Sequence, residues 1–110
     1  MIRGGITMLA VSEVEAAVRF YIETLGMKLV EEEGGMALLD AGEGFLVGLR
    51  KGDRRSETGS VLFRPKVPID EAIAIYENRG ITFTVDRTDA RVLAHFQGPD
   101  GNQLALIQPS

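Results

Sequence analysis

The chain has 110 residues, 45% of them hydrophobic and 25% charged, which is enough for one domain to bury a core without metal or disulfide support. It contains no cysteine, so disulfide frameworks and thiolate chemistry are excluded, and a reducing compartment is compatible. A net charge of -4 argues against nucleic acid as the main partner, and no apolar run approaches the ~20 residues of a membrane span. Residues 1–5 lack a signal-peptide pattern, so the expected location is the cytoplasm.

Residues 6–11 form an apolar run and predict a first strand. Ser12 followed by Glu15 has capping-box spacing. Val14, Ala17, Val18, Tyr21 and Leu25 then recur at helical intervals, and Gly26 is placed to end the helix. Three short strands follow, at 27–32, 36–40 and 45–49, separated by glycine turns at Gly34-Gly35 and at residues 41–44. Residues 51–58 are polar and aperiodic and predict a linker; within it Arg54 and Arg55 read as a solvated loop or as an anion contact.

The second half repeats this order. Residues 61–66 predict a strand, in which Pro65 implies an edge position or a bulge. Pro68 suits a helix start, Ile69, Ala72, Ile73 and Tyr76 supply the stripe, and Gly80 ends it. Strands are expected at 81–86, 90–97 and 103–108, the last two joined by the turn at 98–102. A shift of 55 carries Val14 onto Ile69, Ala17 onto Ala72 and Tyr21 onto Tyr76. The predicted fold is therefore α+β. It consists of a single domain, 1–110, made of two βαβββ modules at about 1–52 and 59–110.

Three segments carry a resemblance to a known family: V-S-E-V-E-A-A-V-R-F-Y-I-E-T-L-G from Val11, I-D-E-A-I-A-I-Y-E-N-R-G from Ile69, and F-Q-G-P-D-G-N-Q-L-A-L-I-Q from Phe96. In this order and spacing they resemble the vicinal oxygen chelate superfamily, which contains glyoxalase I, the extradiol dioxygenases, fosfomycin-resistance enzymes and the bleomycin-resistance proteins. Glu13 stands where that family usually has Asp. The resemblance implies half-barrel sheets around a cleft with the helices packed outside, and frequent homodimers. In the enzymes it also implies a divalent metal held by His, Glu or Gln on the first and last strands of each module.

Counting eleven residues back from Ala17 and Ala72 puts Ile6 and Val61 at the first-strand ligand positions. The last-strand positions fall on Ala105, after the G-N-x-x of the turn, and on Gly48, aligned through Gly44 and Gly101. None of the four offers a nitrogen or oxygen side-chain donor, and a slip of one residue brings in no histidine or carboxylate. The expectation is a protein without a metal or other cofactor and without a catalytic site of the family's usual kind.

Strand parity predicts the cleft lining: Ile6 and Met8 from the first strand, Leu46, Gly48 and Arg50 from the fourth, Val61 and Phe63 from the fifth, and Gln103 and Ala105 from the last. Leu9 and Val11 back onto the helix. Such a lining is apolar with a few polar handles, as small-molecule sites are. His95, the only histidine, is a further candidate for the cleft, and Glu31 and Glu33 share a face that reads as an acidic rim or as a solvated one.

The leading expectation is a metal-independent small-molecule binding protein of the bleomycin-resistance kind. It would be a drug-sequestering homodimer with the ligand in an apolar cleft at the dimer interface. The alternatives are a diverged glyoxalase- or dioxygenase-type enzyme with a site relocated around His95, and a structural or regulatory dimer whose cleft is filled.

Overall fold

The computed structural model describes residues 6–52 and 61–110. Arg54, Arg55 and the rest of the predicted linker from residue 53 lie outside the described residues. The chain divides into two compact units, Met1–Thr58 and Gly59–Ser110.

The first unit runs β1 (Ile6–Val11), α1 (Val14–Arg19), a π-helical turn (Phe20–Thr24), β2 (Lys28–Glu33), β3 (Met36–Asp40) and β4 (Leu46–Lys51). Its strands lie in the order β1-β4-β3-β2, with β1 parallel to β4 and the other pairs antiparallel. The second unit runs β5 (Val61–Phe63), α2 (Ile69–Glu77), β6 (Thr84–Arg87), β7 (Arg91–Gln97) and β8 (Gln103–Pro109), in the order β5-β8-β7-β6. This is the predicted α+β arrangement, βαβββ written twice.

Each sheet uses one face for its helix. In the first unit Leu9, Val11, Ala37, Leu39, Val47 and Leu49 are buried, alternate along their strands and meet Ala17, Val18 and Tyr21. The α1 segment contacts β3 and β4. In the second unit Val92, Ala94, Phe96, Leu104 and Leu106 are buried with Ile69, Ala72 and Ile73. Full burial of each large aliphatic side chain contributes roughly 1.5–3 kcal/mol, so these faces dominate the stability of each unit. Gln108 continues the helix-side row of β8, and its Oε1 accepts the Ile69 N–H at 2.9 Å. That bond satisfies one of the donors a helix start leaves open.

Local departures from the sequence reading have physical causes. The N-cap of α1 is Glu13 rather than Ser12, and Glu13 makes no side-chain capping bond. The predicted capping box is thereby corrected. Strand β5 stops at Phe63, short of Pro65, whose missing N–H cannot serve a ladder. Strand β6 starts at Thr84 rather than residue 81, because the Ile81 N–H closes the end of α2 by bonding the Tyr76 carbonyl. Lys51, predicted in the linker, completes β4.

The two helix ends differ by one residue. In the second unit Gly80 has φ 95°, its N–H bonds the Glu77 carbonyl, and the Ile81 N–H reaches Tyr76, as in a Schellman motif. In the first unit Gly26 has φ 83°, and the Met27 N–H reaches one residue further back, to Tyr21. The Leu25 N–H bonds the Phe20 carbonyl, five residues back, so the π-helical turn accommodates the extra residue.

Candidate functional site

The face of each sheet away from its helix is where the predicted site residues can be tested. Residues opposite one another in a ladder share a face. In the first unit this gives three rows across β1, β4, β3 and β2. Ile6, Leu46, Asp40 and Lys28 form one; Met8, Gly48, Leu38 and Glu31 form the next; Ala10, Arg50, Met36 and Glu33 form the third. The register shift between Leu29 and Glu31 leaves Val30 as a bulge, after which Glu31 and Glu33 fall on the open face.

Ile6, Met8, Leu46, Gly48 and Arg50 therefore share one open face, as strand parity predicted. Ile6 is 49% exposed and Met8 36%, although both are large and apolar. Gly48 between them is buried. A Cβ built on Gly48 would lie 2.8 Å from Met8 Sδ, 2.9 Å from Met8 Cε and 3.2 Å from Ile6 Cγ2. Both side chains thus fold into the space that a residue 48 side chain would fill. Arg50 turns the other way along its strand, since a Cβ on Gly52 would stand 2.8 Å from Arg50 Nη1.

The second unit requires a correction. Val61 pairs with Leu104 and Phe63 with Leu106, both on the helix side, whereas Leu62 pairs with Ala105. Val61 is 7% exposed and Leu62 43%. Val61 and Phe63 consequently face the helix layer, and Leu62 takes the open-face position. The cause is a difference in connection length: Met8 lies nine residues before Ala17, but Leu62 lies ten before Ala72. Counting back from the helix misses this insertion. Ser60, two residues before Leu62 and so the counterpart of Ile6, lies outside the described residues.

Ala105 and His95 do share the open face with Leu62, in a row that ends at Thr84. Gln103 lies on the same face, opposite Gln97. His95 is half-buried, and no carboxylate occupies its row; Asp86, opposite Leu93, is the acidic residue one row away.

These residues do not fit the divalent metal of the superfamily's enzymes. Ile6, Gly48 and Ala105 have no donor atom, and the space at Gly48 is taken by Met8 and Ile6; the fourth position, Ser60, lies outside the described residues. Among the described residues, no group of three or more His, Cys, Asp or Glu side chains is placed to hold a metal ion. Among the same residues, no helix is long and apolar enough to cross a membrane.

The sequence model of the Glyoxalase/Bleomycin resistance protein/Dioxygenase superfamily matches residues 5–106, and the protein belongs to that superfamily. Solved structures share the fold across almost the entire chain. TnmS3, an antibiotic binding protein from Streptomyces sp. CB03234, is 26% identical with a TM-score of 0.84, covering 100% of this chain and 98% of its own. A superfamily member from Sphaerobacter thermophilus DSM 20745 is 26% identical with a TM-score of 0.80, covering 97% of each chain. A glyoxalase/bleomycin resistance protein from Streptomyces sp. CB03234 is 25% identical with a TM-score of 0.78, covering 96% of this chain and 100% of its own. No curated protein matches the sequence.

Proposed function

We propose that this protein binds a small organic molecule without a metal and sequesters it rather than transforming it. The observation that carries the reading is the packing at Gly48. The position at which the resemblance expects a metal ligand has no side chain, and apolar groups fill its place. Ala105, the last-strand position of the second unit, likewise offers no donor atom. The similarity to an antibiotic binding protein over the full chain supports the same reading and suggests a drug-like ligand. Ile6, Met8, Leu46, Gly48 and Arg50, which share the open face of the first unit, are the residues proposed to meet it. A homodimer belongs to this proposal, and sedimentation equilibrium tests it; a monomer at every concentration would remove that part.

The main test is a thermal-shift screen of antibiotics and aromatic metabolites, with and without a chelator. A ligand that binds only the folded state raises apparent stability by RT ln(1 + [L]/Kd), or about 2.7 kcal/mol at a hundredfold excess over Kd. A stabilising ligand whose effect is unchanged by the chelator is the expected result. Tight stoichiometric binding of a divalent ion together with metal-dependent turnover would overturn the reading. Loss of a measured turnover in a folded His95→Ala variant would replace it with the enzyme alternative.

A further inference from the structure

From the Gly48 neighbourhood we infer that the open face of the first unit is a binding site for an uncharged, planar aromatic ring system, closed in the free protein by the Met8 side chain. The inference rests on the small-molecule reading and names the ligand class and the residue that gates it. Gly48 is the one position in its row with no side chain, so the β4 backbone there is a flat floor between Met8 and Leu38. Met8 lies over that floor, with its sulfur and methyl at the place of a missing Cβ, yet remains 36% exposed. An unbranched thioether with three rotatable bonds leaves such a position more readily than a branched side chain would, and its sulfur makes favourable contacts with the edge of a ring.

The side chains around the floor define the occupant. Met8, Ile6, Leu46 and Leu38 are uncharged. Arg50 follows on β4 and turns toward Gly52, leaving a cation at one end of the floor. The carboxylate of Asp40 stands beside Leu46 on β3, and those of Glu31 and Glu33 stand on β2, two strands from Gly48. A charged ring system would lose its hydration against the apolar side chains of the floor, whereas an electron-rich neutral ring suits them and can lie against a guanidinium. At the usual strand spacing, the width from β1 to β3 is about 10 Å, enough for two or three fused rings.

The test uses the full chain and the neutral tricyclic fluorophore 9-anthracenemethanol. With Met8→Ala the floor no longer has to be vacated, and the probe is expected to bind at least about fivefold more tightly than to the wild type. Adding Gly48→Val to Met8→Ala refills the space and is expected to abolish that gain. Gly48 is not in the left-handed region, so a side chain there meets no backbone strain. In wild-type protein with 13C-methyl methionine, the Met8 methyl resonance, assigned by its loss in Met8→Leu, is expected to shift on titration.

Equal affinity of Met8→Ala and wild type, or undiminished binding after Gly48→Val, overturns the site. If a screened ligand stabilises the wild type while these variants behave alike, the site falls and the broader binding reading stands. If the screen yields no ligand while Met8→Ala takes up the probe and Gly48→Val blocks it, the site stands and the sequestering role loses its support.

Discussion

The placement of Val61 and Leu62 decides which residues of the second unit can touch a ligand, and a pair of substitutions tests it. Val61→Thr keeps the side-chain shape and replaces a methyl with a hydroxyl. Val61 is 7% exposed and pairs with Leu104 on the helix side. A hydroxyl placed there without a partner costs about 1–3 kcal/mol. Leu62 is 43% exposed on the open face, so Leu62→Thr is expected to change stability by no more than about 0.5 kcal/mol. For a chain of this length an unfolding entropy near 2.1 cal/mol/K per residue makes 1 kcal/mol worth about 4 °C in Tm. Val61→Thr is thus expected to lower Tm by about 4–12 °C and Leu62→Thr by about 2 °C or less, read by circular dichroism during heating. If Leu62→Thr proves the more damaging, the register is wrong and Val61 returns to the open face.

Three further outcomes follow from the packing. Leu39→Ala empties a fully buried position of the first unit and is expected to cost about 2–5 kcal/mol in urea unfolding, whereas Leu29→Ala, on the exposed edge strand, costs far less. Gln108→Ala removes the acceptor of the Ile69 N–H at the start of α2 and is expected to cost about 1 kcal/mol by the same measurement. Gly26→Ala forces a β-carbon into φ 83° and is expected to cost about 1–2 kcal/mol, although nothing lies within 4 Å of the added atom; a neutral substitution would show that the strain is relieved locally.

Much of the fold is legible in the sequence because its elements are strongly patterned. Strands β1 and β3 fall on their predicted bounds, at Ile6–Val11 and Met36–Asp40. Both helices begin where their stripes begin, at Val14 and Ile69. Turn glycines mark the breaks: Gly34, Gly35, Gly42, Gly44 and Gly101 all adopt positive φ. The open face of the first unit is equally legible, because Ile6, Met8, Gly48 and Arg50 alternate without interruption. What the sequence conceals is register wherever a connection changes length. The Ala17–Ala72 correspondence holds inside the helix but fails across residues 64–68, where two prolines let the chain run on before α2 starts. A one-residue error in a strand exchanges its two faces, which is why Val61 and Phe63 displaced Leu62.

The extra residue that shifts Leu62 has a counterpart at the other end of the helix. In the first unit the π-helical turn holds one more residue between Tyr21 and Gly26 than α2 holds between Tyr76 and Gly80. The two differences cancel, so each unit spans the same number of residues from its open-face position to its helix-ending glycine: Met8 to Gly26, and Leu62 to Gly80. The repeat is better measured from sheet to glycine than from helix to helix, since the helix can slip by one residue against its own ends. Measured that way, both units place a large apolar side chain of the first strand beside the smallest residue of the last: Met8 with Gly48, and Leu62 with Ala105. Close packing explains the pairing, because a small residue is needed where a neighbour folds over it. Restoring a donor at Gly48 would first require expelling Met8 and Ile6.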